Sequence, residues 1–161
     1  MHDYGIVEQQ APELQVAKWV NEQGNEIDSV HLSDFKGKKV VIFGFQSWCP
    51  GCHSRGLPTL QKLVAHYKDR EDVVFLAVQT VFEGFEVNTY EKMKEVQNQY
   101  ALEIPFGQDV GDAATDNRSS VMYHYKTGGT PWFIFLNEEH MVVFNDFHID
   151  IETAKRYIDT V

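Results

Sequence analysis

The chain is 161 residues long, 43% hydrophobic and 13% aromatic, which is enough for one domain over residues 1–161 with a buried core and excludes a disordered chain. A net charge of −10 argues against nucleic acid or an anionic membrane as the main partner. No apolar run reaches the length of a membrane span.

Residues 1–10 lack a basic segment followed by an apolar one, so they do not read as a signal peptide. A cytoplasmic location is expected, or an exported one if a signal has been removed. Residues 14–20 and 26–27 read as two short strands around a turn containing Gly24. Residues 33–38 form a turn or helical piece that leads into a strand at 39–46. A helix is expected from Pro50 to about Lys68, with Pro50 in its first turn and a kink at Pro58.

Residues 73–79 are almost wholly apolar, as in a buried parallel strand. Residues 88–100 read as a helix, with Asn88 and Glu91 at the spacing of a capping box. A short helix is expected at 119–125. Residues 131–136 and 141–147 read as a hairpin across Asn137, Glu138 and Glu139. The last helix, 151–161, carries Ile151, Ala154, Tyr157, Ile158 and Val161 on one face. The order is β-α-β-α-β-β-α behind an N-terminal hairpin.

The only two cysteines lie in Trp48-Cys49-Pro50-Gly51-Cys52-His53, directly after the strand at 39–46. A disulfide scaffold is therefore excluded. Two thiols at that spacing, where a strand hands over to a helix, can close a small reversible disulfide, so the pair reads as a redox dithiol. Far downstream, Gly128-Gly129-Thr130-Pro131 opens another apolar strand.

With Ala11-Pro12-Glu13-Leu14 and Leu32-Ser33-Asp34-Phe35-Lys36-Gly37-Lys38, these segments resemble the TlpA/ResA-like branch of the thioredoxin superfamily, close to the AhpC/TSA redoxins. The resemblance covers nearly the whole chain. It implies an α/β thioredoxin-like fold: a central mixed sheet flanked by helices, with an N-terminal β-hairpin and a central insertion that residues 81–104 fit. It also implies thiol–disulfide exchange with a protein partner and an unidentified electron donor or acceptor. No bound cofactor is expected, because the electrons reside in the dithiol, and no metal is expected. A reductase is favoured over an oxidase if the protein is cytoplasmic.

The chemistry assigns roles residue by residue. Cys49, at a helix N-terminus, is the expected nucleophile, because unpaired N–H groups there stabilise a thiolate. His53 and Arg55 are positive neighbours that would favour the same form. Cys52, one turn in and more buried, resolves the mixed disulfide. Pro50 and Gly51 tune the reduction potential. The resemblance implies that Pro131 is the cis-proline beside Cys49, with the Thr130 backbone pairing with the partner like an added strand. The plain alternative is a trans proline that opens an edge strand. Trp48 is expected to pack over the dithiol and limit access; simple core packing is the plain alternative, and the two are compatible.

Thioredoxins carry a buried Asp six residues before the first cysteine, and here that position is Phe43. The resembled branch instead offers a Glu after the next strand, and Glu83 matches that place. Half-buried between Phe82 and Phe85, it would have a raised pKa and take the proton from Cys52; otherwise it is a solvated loop residue. Glu86 is a poorer candidate. The acid that many members place just before the helix proline is also missing, since Arg55-Gly56-Leu57 precedes Pro58.

Rival readings remain. Cys49-Pro50-Gly51-Cys52-His53 fits the c-type haem motif, with His53 as axial ligand, but the flanks are β-rich and no second ligand is evident. The bland reading of His53 is an exposed first-turn residue. A peroxiredoxin-like peroxidase using Cys49 would want Thr or Ser three residues earlier, where Gln46 stands, and an arginine, for which Arg118 is a candidate. A non-catalytic binding module on the same fold is the remote alternative. Zinc on two thiols and His53 would need a fourth ligand.

Overall fold

The computed structural model describes residues 4–160. His2, and the Val161 position expected on the last helix's apolar face, lie outside the described residues.

The fold is organised around one fully buried strand. β3 (Lys39–Phe45) is buried along its whole length. It pairs in parallel with β4 (Val73–Thr80), with Phe43 opposite Ala77 and Phe45 opposite Gln79. On its other side lies antiparallel β6 (Trp132–Leu136), with Phe43 opposite Phe133. β7 (Val142–Asp146) extends that edge. Beyond β4 come parallel β5 (Phe106–Asp109), then β1 (Lys18–Val20) and β2 (Glu26–Ile27), both antiparallel. The seven strands run β2-β1-β5-β4-β3-β6-β7.

Alternation along β3 supplies both faces of the sheet with apolar side chains, which is why the strand reads as one continuous apolar run. Val41, Phe43 and Phe45 meet α1 (Leu57–Tyr67), α2 (Tyr90–Gln99) and α4 (Ile151–Thr160). Val40 and Ile42 face α3 (Ser120–Tyr125) and the N-terminal segment, including Leu14, Val16 and Trp19. The Glu13 carboxylate accepts from the backbone N–H groups of Leu14, Leu32 and Ser33. That contact joins the two N-terminal segments noted in the sequence.

Three elements differ from the sequence reading. The helix after the dithiol turns π-helical over Cys52–Gly56 before α1 begins, with Leu57 N–H bonded to the Cys52 carbonyl. Pro58 has no N–H for the Ser54 carbonyl, and the wider turn absorbs that loss at the start of α1, where proline fits. The cap of α2 is Thr89, whose hydroxyl accepts from Lys92 N–H, because Asn88 is used elsewhere. β5 was not foreseen. Its sequence, Phe-Gly-Gln-Asp, has only one good strand former, and pairing on both sides makes it a strand. The insertion expected at 81–104 therefore holds α2 and leads into β5.

At the end of β5, the buried carboxylate of Asp109 caps α3. It accepts from the Ser119 hydroxyl (2.6 Å), the Ser120 hydroxyl (2.8 Å) and the N–H groups of Ser120 (3.0 Å) and Val121 (2.8 Å).

Candidate active site

The site forms where β3 ends. Residues 46–48 turn out of the sheet, and the helix begins at Pro50. Cys49 therefore stands at the N-cap. Its carbonyl accepts from Cys52 N–H (3.0 Å) and His53 N–H (3.3 Å), and its Sγ accepts from Cys52 N–H at 3.2 Å. A sulfur at a cap satisfies a helix N–H that would otherwise lack a partner, and the bond strengthens when the sulfur is negative.

The Thr130–Pro131 peptide bond is cis, and it brings Thr130 against Cys49. The Thr130 hydroxyl donates to Cys49 Sγ at 3.5 Å, and a protonated Cys49 reaches the Thr130 carbonyl at 3.6 Å. Gly51 and Gly56 lie under the Pro131 ring. Pro50 is exposed and Gly51 half-buried.

Both cysteines are free thiols, Cys49 half-buried and Cys52 fully buried. Their environments separate them. The Cys52 thiol, donating to Cys49, holds the Cys49 pKa down to about 6 against the opposing effect of burial; the Thr130 hydroxyl, the Cys52 backbone N–H and the charge of His53 act in the same direction as Cys52. Burial pushes the Cys52 thiol far up, and its neighbour Cys49 pushes it further.

Phe43 fills the place of the missing acid with an aromatic ring under Gly56. Glu83 does not have the half-buried setting expected of it. Its side chain is exposed, and so is Phe85. Here the backbone is what the fold uses: the N–H groups of Phe82 and Glu83 donate to Gln46 Oε1, and the Glu83 carbonyl accepts from Asn88 Nδ2. The carboxylate is left in solvent, as is Glu86.

Trp48 is 67% exposed. It is not a core residue. His53 is half-buried, not an exposed first-turn residue, and both ring nitrogens are occupied, by Tyr100 and Ser47. A histidine so engaged is poorly placed for an axial haem ligand. Of the two expected cations, His53 acts on Cys49; Arg55 is exposed, and its charge acts on His148, whose pKa is lowered first by burial and then by Arg55. Arg118 lines a separate surface cleft with Tyr123 and Lys126. Among the described residues no group of three or more His, Cys, Asp and Glu could hold a metal ion, and no helix is long and apolar enough to cross a membrane.

Sequence reasoning missed a set of buried amides behind the dithiol. Gln79 Oε1 accepts from Ser47 N–H and Ser47 Oγ–H, both at 2.6 Å. Gln79 Nε2 donates to the Thr89 carbonyl and to Gln108 Oε1, and Gln108 Nε2 donates to the Asn88 carbonyl. Trp48 N–H donates to Asn88 Oδ1 at 2.9 Å. One signal was available: Gln46, Gln79 and Gln108 each stand at or just past the C-terminal end of a parallel strand, where α/β folds bind ligands.

Comparison with known proteins bears on the family and the fold. The redoxin family profile matches residues 6–160. No match was found among curated proteins. Among solved structures, a thioredoxin-like superfamily protein is 30% identical, with 94% of this chain and 95% of that chain covered and a TM-score of 0.83. A thiol-disulfide isomerase from Corynebacterium glutamicum is 27% identical, covering 93% and 94%, with a TM-score of 0.80. The thioredoxin domain of a thiol-disulfide oxidoreductase from Bacteroides vulgatus, 22% identical over 95% and 98% with a TM-score of 0.70, shares the fold. The chain belongs to the redoxin family and has the thioredoxin-like fold of thiol-disulfide oxidoreductases.

Proposed function

We propose that this protein exchanges its Cys49–Cys52 dithiol with a disulfide in a protein partner, acting as a reductase. One observation carries the reading: the two thiols are split, Cys49 half-exposed and held near pKa 6, Cys52 buried and protonated. The first is a nucleophile at neutral pH and the second is a reserve.

In the reductive direction the Cys49 thiolate attacks one sulfur of the partner's disulfide. A mixed disulfide forms, and the partner's other sulfur leaves as a thiolate. That thiolate takes up the Cys52 proton as the Cys52 sulfur begins its attack. The Cys52 sulfur then attacks Cys49, expels the partner's second thiolate and closes the Cys49–Cys52 disulfide. The partner gains two electrons and this protein loses two, which an external dithiol donor restores. Thr130 and Pro131 take the partner's backbone as an added strand, and Trp48 offers an aromatic contact beside it. No step runs through Glu83.

The direction is set by potential. A Cys49 held near 6, against about 7 in thioredoxin, stabilises the reduced form and raises the potential above that reference. In a compartment that keeps accessible thiols reduced, such a protein acts as a reductant.

The test uses insulin as a model disulfide and dithiothreitol as donor. The wild-type protein is expected to accelerate insulin reduction. Cys52→Ser should instead accumulate a mixed disulfide at Cys49, and Cys49→Ser should do neither. Cys49→Ser with wild-type activity would overturn the assignment.

A further inference from the structure

The peptide unit joining Ser47 to Trp48 is gripped at both edges by side chains. Its carbonyl oxygen, on Ser47, lies 2.7 Å from His53 Nε2. Its N–H, on Trp48, donates to Asn88 Oδ1 at 2.9 Å. Holding both edges fixes the plane of that peptide, and hence where the chain delivers Cys49 one residue later.

The histidine is itself held. A carbonyl oxygen only accepts, so His53 Nε2 carries the hydrogen. In the neutral ring this leaves Nδ1 as the acceptor for the Tyr100 hydroxyl, 2.6 Å away. The two rings stack with centroids 5.6 Å apart and planes 29° apart. Tyr100 is anchored at the end of α2, where its carbonyl accepts from Gln61 Nε2 of α1 at 2.7 Å. A histidine that merely decorated the first turn would need none of these partners.

We infer that His53 is a positioning residue for Cys49: oriented by Tyr100, it donates Nε2–H to the Ser47 carbonyl and so seats the reactive sulfur. This rests on the dithiol-exchange reading above and names residues that tune its nucleophile. Besides the Cys52 thiol, the thiolate is favoured by Cys52 N–H at 3.2 Å and the Thr130 hydroxyl at 3.5 Å. These contacts weaken if the Ser47–Trp48 peptide swings. When protonated, His53 also acts on Cys49 through its charge, but charge alone would not require Tyr100 or the Ser47 carbonyl.

The experiment measures the rate of Cys49 alkylation by iodoacetamide from pH 4.5 to 9 in reduced wild-type protein, His53→Ala, His53→Gln and Tyr100→Phe. The inference predicts a higher midpoint and at least threefold slower alkylation at pH 6 for His53→Ala. Tyr100→Phe, which removes one oxygen and keeps the ring, should move the same way. His53→Gln, whose amide N–H can still reach the Ser47 carbonyl, should recover part of the loss. If only charge mattered, His53→Gln would match His53→Ala and Tyr100→Phe would match wild type; that pattern overturns positioning. Unchanged midpoints in all three variants overturn it too. Should His53→Ala fail to fold, Tyr100→Phe and His53→Gln still decide. Alkylation needs no partner, so a wild-type protein that fails to reduce insulin would sink the functional reading while leaving this comparison intact.

Discussion

Gly56 lies so close to Pro131 that a Cβ on it would stand 2.6 Å from the proline Cβ and 2.9 Å from Phe43 Cζ. Any side chain at this position must push on a rigid ring. Gly56→Ala is therefore expected to destabilise the protein by roughly 1–3 kcal/mol, the usual cost of overpacking a core. The check is urea unfolding, with a lower midpoint and an unchanged slope. Displacement of Pro131 would also loosen Thr130 from Cys49, so the alkylation midpoint should rise as well.

The thiol pair sets a pH dependence whose sign follows from its two shifts. Cys49 is lowered to about 6, below the roughly 8.5 of a free thiol. Its contribution to folding stability is thus complete above about 8.5 and lost as pH falls through about 6. Cys52 is raised, so it opposes folding only above about 8.5, where the unfolded chain releases that proton. Between these limits reduced wild-type protein should gain stability over Cys49→Ser as pH rises. The potential carries the same signature. Each proton taken up per two electrons contributes about 30 mV per pH unit. The slope should be about 60 mV per pH unit below 6 and about 30 mV above it. A slope constant from pH 5 to 8 would contradict the lowered thiol.

Glu83→Gln should leave insulin reduction and the alkylation profile as in the wild type, because the carboxylate faces solvent. A fall of tenfold or more in turnover, with alkylation unchanged, would instead place Glu83 in the proton path from Cys52.

Asp109→Asn removes a buried carboxylate that accepts four bonds at the head of α3. Hydrogen bonds to a charged group are worth about 1.5–3 kcal/mol each, and an unsatisfied buried partner adds to the loss. Destabilisation by several kcal/mol is expected in thermal unfolding, with the Cys49 midpoint unmoved.

Much of this architecture was legible because it follows from local signals. The apolar runs of β3 and β4 announced strands buried on both faces. The cysteine spacing announced the turn from β3 into a helix, and Thr-Pro before β6 marked the segment that meets it. What escaped was decided at long range. Phe-Gly-Gln-Asp becomes β5 only because β4 and β1 pair with it. Asn88 looked like a helix cap, yet its side chain reaches 40 residues back to Trp48, which left the cap to Thr89. The burial expected of Glu83 rests on its apolar neighbours, whereas the loop is held through its backbone. His53 and Tyr100, 47 residues apart, meet only in three dimensions.

The most direct test of the account is equilibration of the protein in glutathione redox buffers at pH 7, with thiols trapped by an alkylating mass tag. One reversible two-electron transition is predicted, nearer to −270 mV than to −120 mV, the range spanned by thioredoxin and the strong oxidant DsbA. A pair that fails to cycle would contradict the dithiol-exchange reading, and a transition near −120 mV would contradict its reductive direction.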